Sequence, residues 1–352
     1  MTRSPQTAIR SPLNTASAAW LARGRLRPGA RRNGDLHMAE RLVTVFGGSG
    51  FIGRYVVKRL AASGARVRVA VRRLEDAKFL RTMGDVGQVV PFLANVRVAS
   101  SVQAAVAGAD AVINLVGILH ESGAQKFDMV QATAPGLIAE AARAAGVRHV
   151  VHVSAIGADA ASAAAYARTK ATGEAAVHAA FPTATILRPS IVFGAEDGFF
   201  NRFANLARYL PALPLIGGGH TRFQPVYVGD VADAVMAALA RPEAAGKTYE
   251  LGGPGIYTFA ELMAYVLTVI QRKRLLLPIP FAVAKIQGLI MGLLPSPMLT
   301  RDQVVMLETD NVVAPGMPGL ADLGIVPKTV ESVVPAYLGR FRRTGQFAPS
   351  QA

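Results

Sequence analysis

Apolar residues fall along this chain in two kinds of block. Leu42, Val43, Val45 and Phe46 form a short run of buried-strand type, and Arg66–Val71 (RVRVAV), Val89–Leu93 (VVPFL), Ala111–Val116 (AVINLV), Val147–Val153 and Ala184–Leu187 repeat it. Between these runs the apolar positions recur at helical spacing. Within Phe51–Ala62, Ile52, Val56, Val57 and Leu60 share a face while Arg54, Lys58 and Arg59 fall on others. Further helices are predicted at Glu75–Thr82, Val102–Val106 and Thr133–Ala145, the last stopped by Gly146. The alternation predicts an α/β fold, a Rossmann-type doubly wound parallel sheet. The expected division is a disordered or transit-like extension at 1–40, a nucleotide-binding domain at 41–240, a smaller, mixed C-terminal lobe at 241–340 and a tail at 341–352.

The first strand breaks into Gly47, Gly50 and Gly53, and a helix begins at Phe51. Glycine admits positive φ and lets a phosphate approach the backbone, while the new helix points unpaired N–H groups and the positive end of its dipole at that phosphate. The second strand ends in Arg72 and Arg73 instead of the Asp or Glu that would bind the ribose 2′-hydroxyl of NAD. Two guanidinium groups suit a 2′-phosphate, which favours NADP(H) over NAD(H), unless both are simply solvated at a strand end. Asn95, just past the third strand, is the candidate beside the adenine, and Gly117 ends the fourth strand with room for ribose and pyrophosphate. The candidate cofactor-binding set is therefore Gly47, Gly48, Ser49, Gly50, Phe51, Ile52, Gly53, Arg72, Asn95, Leu115, Val116 and Gly117, with Tyr166, Lys170 and Pro189 from later segments.

The fifth strand delivers Ser154 to the carboxyl edge of the sheet, where ligands of open α/β sheets bind. Tyr166 and Lys170 lie four apart on a predicted helix and so share a face. A nearby ammonium favours tyrosinate, and a serine hydroxyl can hold a carbonyl oxygen, so Ser154, Tyr166 and Lys170 form a candidate proton-transfer set. The alternative is an exposed Tyr and Lys with no joint role. Asp230 is expected to N-cap a helix at Val231–Leu239, and residues 196–222 and 241–340 to supply a lid over the cofactor.

Composition narrows the chemistry. The chain has no cysteine, which excludes disulfides and thiolate chemistry, and its six histidines lack metal-ligand spacing. His149 and His152 flank a strand, where structural roles are expected. The net charge is +15, of which residues 1–40 carry +5 from seven arginines against Asp35 and Glu40. The basic residues show no aromatic interleaving and no docking element for nucleic acid, so no nucleic-acid partner is expected. Residues 1–37 read as an organelle transit peptide, a disordered arm or an extension upstream of a start at Met38, the last being favoured. Export is not expected, because no secretory apolar region precedes the domain.

The glycine turn, the strand-end serine, Tyr166-x-x-x-Lys170, the segment Leu187-Arg-Pro-Ser-x-Val-Phe-Gly194 and the segment Pro225-Val-Tyr-Val-Gly-Asp-Val231 resemble, in order, the extended short-chain dehydrogenase/reductases. Within that family, VFGGSGFIGRYVV, MGDVGQ, AVINLVG, TRDQV (Thr300–Val304) and PGLADLGI (Pro318–Ile325) look like the nucleotide-binding accessory subunit of respiratory complex I and its bacterial homologues. The resemblance implies an atypical member that holds NADPH at the side of NADH:ubiquinone oxidoreductase, with Phe46, Ala155 and Gly157 departing from active relatives. A second expectation is an NADP(H)-dependent oxidoreductase or sugar-nucleotide epimerase, with Tyr166 as acid/base and Lys170 on the nicotinamide ribose. Gln271-Arg-Lys-Arg274 precedes an apolar segment, Leu275–Leu299, whose helical piece Phe281–Leu294 is too short to span a bilayer. That piece is either a buried helix of the lobe or a docking element, and the resemblance implies docking beside the quinone-binding region with peripheral contact to the membrane surface. The location implied is the bacterial cytoplasm, peripheral on the inner membrane, or the matrix side of the mitochondrial inner membrane.

Overall fold

The computed structural model describes residues 41–292, 297, 299–343 and 345. The expected 1–40 extension, residues 293–296 and 298 of the apolar segment and most of the 341–352 tail lie outside the described residues. The chain forms β1 (Leu42–Phe46), α1 (Phe51–Ala62), β2 (Arg66–Val71), β3 (Val89–Leu93), α2 (Ala99–Val106), β4 (Ala111–Asn114), α3 (Ala134–Ala144), β5 (His149–Val153), α4 (Ala165–Ala180) and β6 (Thr185–Pro189). There follow β7 (Val192–Phe193), α5 (Phe200–Tyr209), β8 (Ala212–Ile216), β9 (Arg222–Phe223), β10 (Val226–Tyr227), α6 (Val228–Ala240), β11 (Thr248–Leu251), β12 (Tyr257–Thr258), α7 (Phe259–Val269), β13 (Leu275–Ile279), α8 (Phe281–Met291), α9 (Arg301–Met306) and α10 (Val330–Leu338).

Seven strands form one sheet in the order β11-β6-β5-β4-β1-β2-β3, every neighbour parallel. Both faces are covered, which is why its strands read as near-continuous apolar runs. Val43 and Val45 pack with Val56, Leu60 and Val235 of α1 and α6. Phe46 packs on the other face with Val102, Ile138 and Val177 of α2, α3 and α4. Thr44 interrupts the first run, and its buried hydroxyl is satisfied by donating to the Ala105 carbonyl at 2.8 Å. The strand order reverses between β1 and β4, and that switch point opens the crevice in which α/β sheets bind ligands.

Tertiary contacts change several local expectations. Leu74–Met83 winds as a 3-10 helix in place of the expected α-helix. β4 stops at Asn114, short of Val116, because the Asn114 side chain accepts the Val116 N–H at 3.1 Å and turns the chain. Asp230 is not an N-cap: α6 starts at Val228 with Tyr227 as its N-cap residue, and the buried Asp230 carboxylate accepts the Lys328 N–H at 2.7 Å. β11, expected in the C-terminal lobe beyond residue 240, pairs with β6 and completes the main sheet.

The rest of the C-terminal half packs around Phe193, Phe200, Phe223, Phe259, Leu262 and Val334. Its small ribbons are mixed, β8 with β13 parallel and β9 with β12 antiparallel. α8 is not a buried helix. Only Ala284 and Gly288 are buried, while Val283, Ile286, Leu289 and Ile290 stand exposed. Among the described residues no helix is long and apolar enough to cross a membrane.

Candidate functional site

The site is built on the turn between β1 and α1. Gly47 has φ +76°, a conformation that favours glycine, and its carbonyl accepts the Gly50 N–H at 3.0 Å. Space explains the other glycines. A Cβ on Gly53 would lie 2.4 Å from the Gly47 oxygen, and one on Gly48 would lie 2.8 Å from the Val69 side chain. A Cβ on Gly47 would lie 3.1 Å from the Leu115 carbonyl carbon, so the end of β4 packs directly against the turn. The structure thus brings Gly47–Gly53 together with Leu115 and Val116.

Gly117 belongs to the same edge. A Cβ there would approach Lys170 Nζ to 3.4 Å and Gln131 Oε1 to 3.6 Å. Lys170 reaches back across the sheet end and donates to the Val153 carbonyl at 3.3 Å, next to Ser154. Ser154 is buried, and its Oγ has no hydrogen-bond partner among the described residues. Tyr166 packs edge-on against Phe127 at 6.1 Å, and the Lys170 ammonium lies 5.9 Å from its ring centroid. Pro189 ends β6 on this edge and accepts the Ile156 N–H at 3.0 Å. Ser154, Tyr166, Lys170, Gly117 and Pro189 therefore share the carboxyl edge of the sheet.

The protonation states differ from the sequence expectation. Burial pushes the Tyr166 phenol up to about 12, so its neighbour does not favour tyrosinate. Burial also brings Lys170 down to about 8, partly opposed by the Glu174 carboxylate. The reason is that both charged forms would lose their water on burial, which keeps the phenol protonated and makes the ammonium easier to discharge. At neutral pH Tyr166 is a protonated phenol and Lys170 is charged, and Lys170 links the Tyr166 ring to the carbonyl next to the unpartnered Ser154 hydroxyl, groups of the kind that donate a proton to a carbonyl oxygen.

Two candidates sit apart from that cluster. Arg72 is exposed, two residues past the Phe46–Ala70 register, and has no ion-pair partner among the described residues. Arg73 beside it is tied to Asp76 at 3.0 Å. Asn95 spends its side-chain oxygen locally, on the Arg97 N–H at 3.1 Å and on Arg97 Nε at 3.3 Å. Of the histidines, His149 is half-buried, while His152 is fully buried with Nδ1 3.1 Å from Asn114 Nδ2. Burial, then the charges of Lys170 and His178, hold His152 down at about 3, so it stays neutral.

Other residues that shape the site lie outside the motifs that point to a cofactor. Buried Gln131 bridges Ile118 N–H and Thr169 Oγ1 at 3.3 Å each and so fixes the loop holding Gly117. Asp302 accepts the first amides of α4. The stretch Thr300-x-x-Gln303 did spell a capping box, and both of its bonds form at the start of α9. Arg188 joins the buried Glu174 and Glu250 at 2.6 and 3.4 Å, tying α4 to β11 through β6.

The residues present fit a dinucleotide. The turn has a glycine cradle closed to side chains, a helix N-terminus faces it, and an unpartnered buried hydroxyl waits at the far end of the crevice. Residues 43–252 match the model of the NAD dependent epimerase/dehydratase family. The chain is 40% identical over 293 residues, 82% of this chain and 78% of the relative, to NADH dehydrogenase [ubiquinone] 1 alpha subcomplex subunit 9, mitochondrial, of Rattus norvegicus. It is 38% identical to the protein of that name from Arabidopsis thaliana, covering 86% of this chain and 79% of the relative. The fold is similar to that of a triphenylmethane reductase of a Citrobacter species, complexed with NADP(H), with a TM-score of 0.65 at 20% identity over 84% of this chain and 99% of that one. The chain belongs to the NAD dependent epimerase/dehydratase family and, within it, to the family of the NADH dehydrogenase [ubiquinone] 1 alpha subcomplex subunit 9 proteins.

Proposed function

We propose that this chain is an accessory or assembly subunit associated with respiratory complex I, NADH:ubiquinone oxidoreductase, and that it holds NADP(H) structurally. The observation that carries the reading is α8. Four large apolar side chains, Val283, Ile286, Leu289 and Ile290, face away from the core on the lobe that lies beyond the 43–252 span of the general family. The matched length of the subunit-9 relatives exceeds that span, so the similarity takes in part of this lobe. A face of this kind is the mark of a docking surface. Its partners are complex I subunits near the quinone-binding region, with Arg272, Lys273 and Arg274 turned toward an anionic membrane surface. The location is the bacterial cytoplasm, peripheral on the inner membrane, or the matrix side of the mitochondrial inner membrane.

The choice of NADP(H) over NAD(H) rests on Arg72, whose guanidinium is exposed at the end of β2 and unpaired among the described residues. Cofactor contacts are assigned to Gly47–Gly53, Arg72, Asn95, Leu115, Val116, Gly117, Tyr166, Lys170 and Pro189. Arg72→Asp is expected to weaken NADPH binding about 10- to 100-fold, the worth of a charge-assisted bond, and NADH binding far less. Isothermal titration with both nucleotides measures this, and equal losses would remove Arg72 from the assignment. Tagged protein should copurify with complex I subunits, and a free species with none attached would overturn the accessory role.

A second reading is supported by Ser154, Tyr166 and Lys170, which lie on one edge of the sheet with Lys170 5.9 Å from the Tyr166 ring centroid and bonded to the carbonyl next to Ser154. In that reading the chain is an active NAD(P)-dependent oxidoreductase or sugar-nucleotide epimerase, with those three as catalytic residues. Oxidation of bound NADPH by a panel of carbonyl compounds, lost in Tyr166→Phe, supports it; no oxidation by any of them counts against it.

A further inference from the structure

Helix α4 carries Tyr166 and Lys170 but lacks an N-terminal acceptor of its own. Its N-cap residue is Ala164, which has no side-chain oxygen for the first-turn amides. The acceptor arrives from far downstream. Asp302 on α9 takes the Ala165 N–H at 2.6 Å on one carboxylate oxygen and the Tyr166 N–H at 3.0 Å on the other. A carboxylate there also sits favourably against the helix dipole.

Asp302 lies in a segment that straps several loops of the site. Gln303 Nε2 donates to the Leu119 carbonyl at 3.4 Å, in the loop after β4. Asn311 Oδ1 accepts from Ser190 Oγ at 2.7 Å and from the Ile191 N–H at 3.2 Å, and its Nδ2 donates to the Ile156 carbonyl at 3.4 Å. Residues 300–311 thereby hold the loops that follow β4, β5 and β6. The other side of the strap is α8. A Cβ on Gly288 would lie 2.8 Å from Arg301 N, Ala284 packs with Val304, and Lys285 pairs with Glu308 at 2.6 Å. With contacts this close, α8 cannot shift without moving α9.

We propose that Asp302 is a positioning residue for Tyr166, and that through it the exposed face of α8 and the cofactor site are linked. Seating α8 on its partner holds α9, α9 holds the first turn of α4, and the cofactor is bound more tightly. By thermodynamic reciprocity, cofactor binding then orders α8. The cofactor and the docked state rest on the function proposed above; the contact between Asp302 and α4 does not.

The test is amide hydrogen exchange on the full chain, together with NADPH titration read by fluorescence of the bound nicotinamide. In Asp302→Ala, exchange in the first turn of α4 and in α8 should both rise about tenfold, the scale of losing a helix cap, and the NADPH dissociation constant should rise by a similar factor. At saturating NADPH the emission of the bound cofactor should also shift, because Tyr166 is displaced, whereas a merely less stable protein would leave that spectrum unchanged. Asp302→Asn keeps one of the two acceptors and should recover only part of each property. Without nucleotide Arg72→Asp should leave exchange in α8 as in the wild type, because Arg72 does not touch α8 or α9, and at limiting NADPH its weaker binding should raise that exchange. A rise in exchange confined to α4, with emission unchanged, overturns the linkage. If the wild type binds no NADPH, the cofactor proposal fails by itself. The exchange measurement still decides the linkage, since a rise in both helices supports it and a rise in α4 alone overturns it.

Discussion

Helices α1 and α8 are both rich in apolar residues, yet they use them in opposite ways. α1 turns Val56, Val57, Leu60 and Ala61 into the core against the central sheet and leaves its charged positions outside. α8 turns Ala284 and Gly288 inward and its large side chains, Ile286, Leu289 and Ile290, outward. Small residues on the inner face let α9 approach closely, which leaves no room for the larger ones. Apolar composition therefore reports a need for burial, but which surface meets that need depends on the neighbour each helix is given.

The comparison is tested most severely at Leu60. Leu60→Ala removes a fully buried side chain between α1 and the sheet and should cost about 2–5 kcal/mol, read as a lowered midpoint in urea unfolding. A loss under 1 kcal/mol would mean that α1 is not the buried helix described.

The nucleotide-binding half also buries polar groups, and so it should be the acid-sensitive one. His152 is held at about 3 in the fold against 6.5 in the unfolded chain, so between those values the unfolded chain binds the extra proton. The stability is fully present above pH 6.5 and falls as the pH drops, by about 1.4 kcal/mol per unit, or about 2 kcal/mol between pH 6.5 and 5. Replacement by Gln should flatten that slope. Thermal midpoints of both proteins across this window check it, and an unchanged slope would assign the acid sensitivity elsewhere.

The smallest effect on stability is expected at α8. Ile286→Ser together with Ile290→Ser should change the stability of the isolated chain by no more than about 0.5 kcal/mol per site, because both side chains are exposed. The same pair should abolish copurification with complex I subunits. A large loss of stability, or retention of the partners, would break the contrast between the two helices.

Much of the nucleotide-binding half was legible in the sequence. The bounds of α1 and β2 follow from local periodicity, and the turn from glycine spacing, because each depends on residues close in the chain. Tyr166 and Lys170 were legible for the same reason, since a helix fixes the relation between positions four apart. What could not be read involved distant partners. Thr248–Leu251 joined the main sheet because β6 presents an open parallel edge, and Asp230 left its expected capping role because Lys328 offers it a backbone amide. The Tyr166 phenol moved up instead of down because its burial, which disfavours the phenolate, depends on what packs around it in the fold.

The sequence by itself determined the alternation of strands and helices from β1 to β6, the glycine turn at Gly47–Gly53 and the placing of Tyr166 and Lys170 on one helix. These follow from backbone sterics and from periodicity, which act over a few residues. Only the tertiary structure decided that α8 faces outward, that Asp302 closes the first turn of α4, and that Lys170 spends its charge on the Val153 carbonyl. Each of those depends on which surfaces remain once the sheet is covered and on where water is excluded, and neither is set by neighbours along the chain.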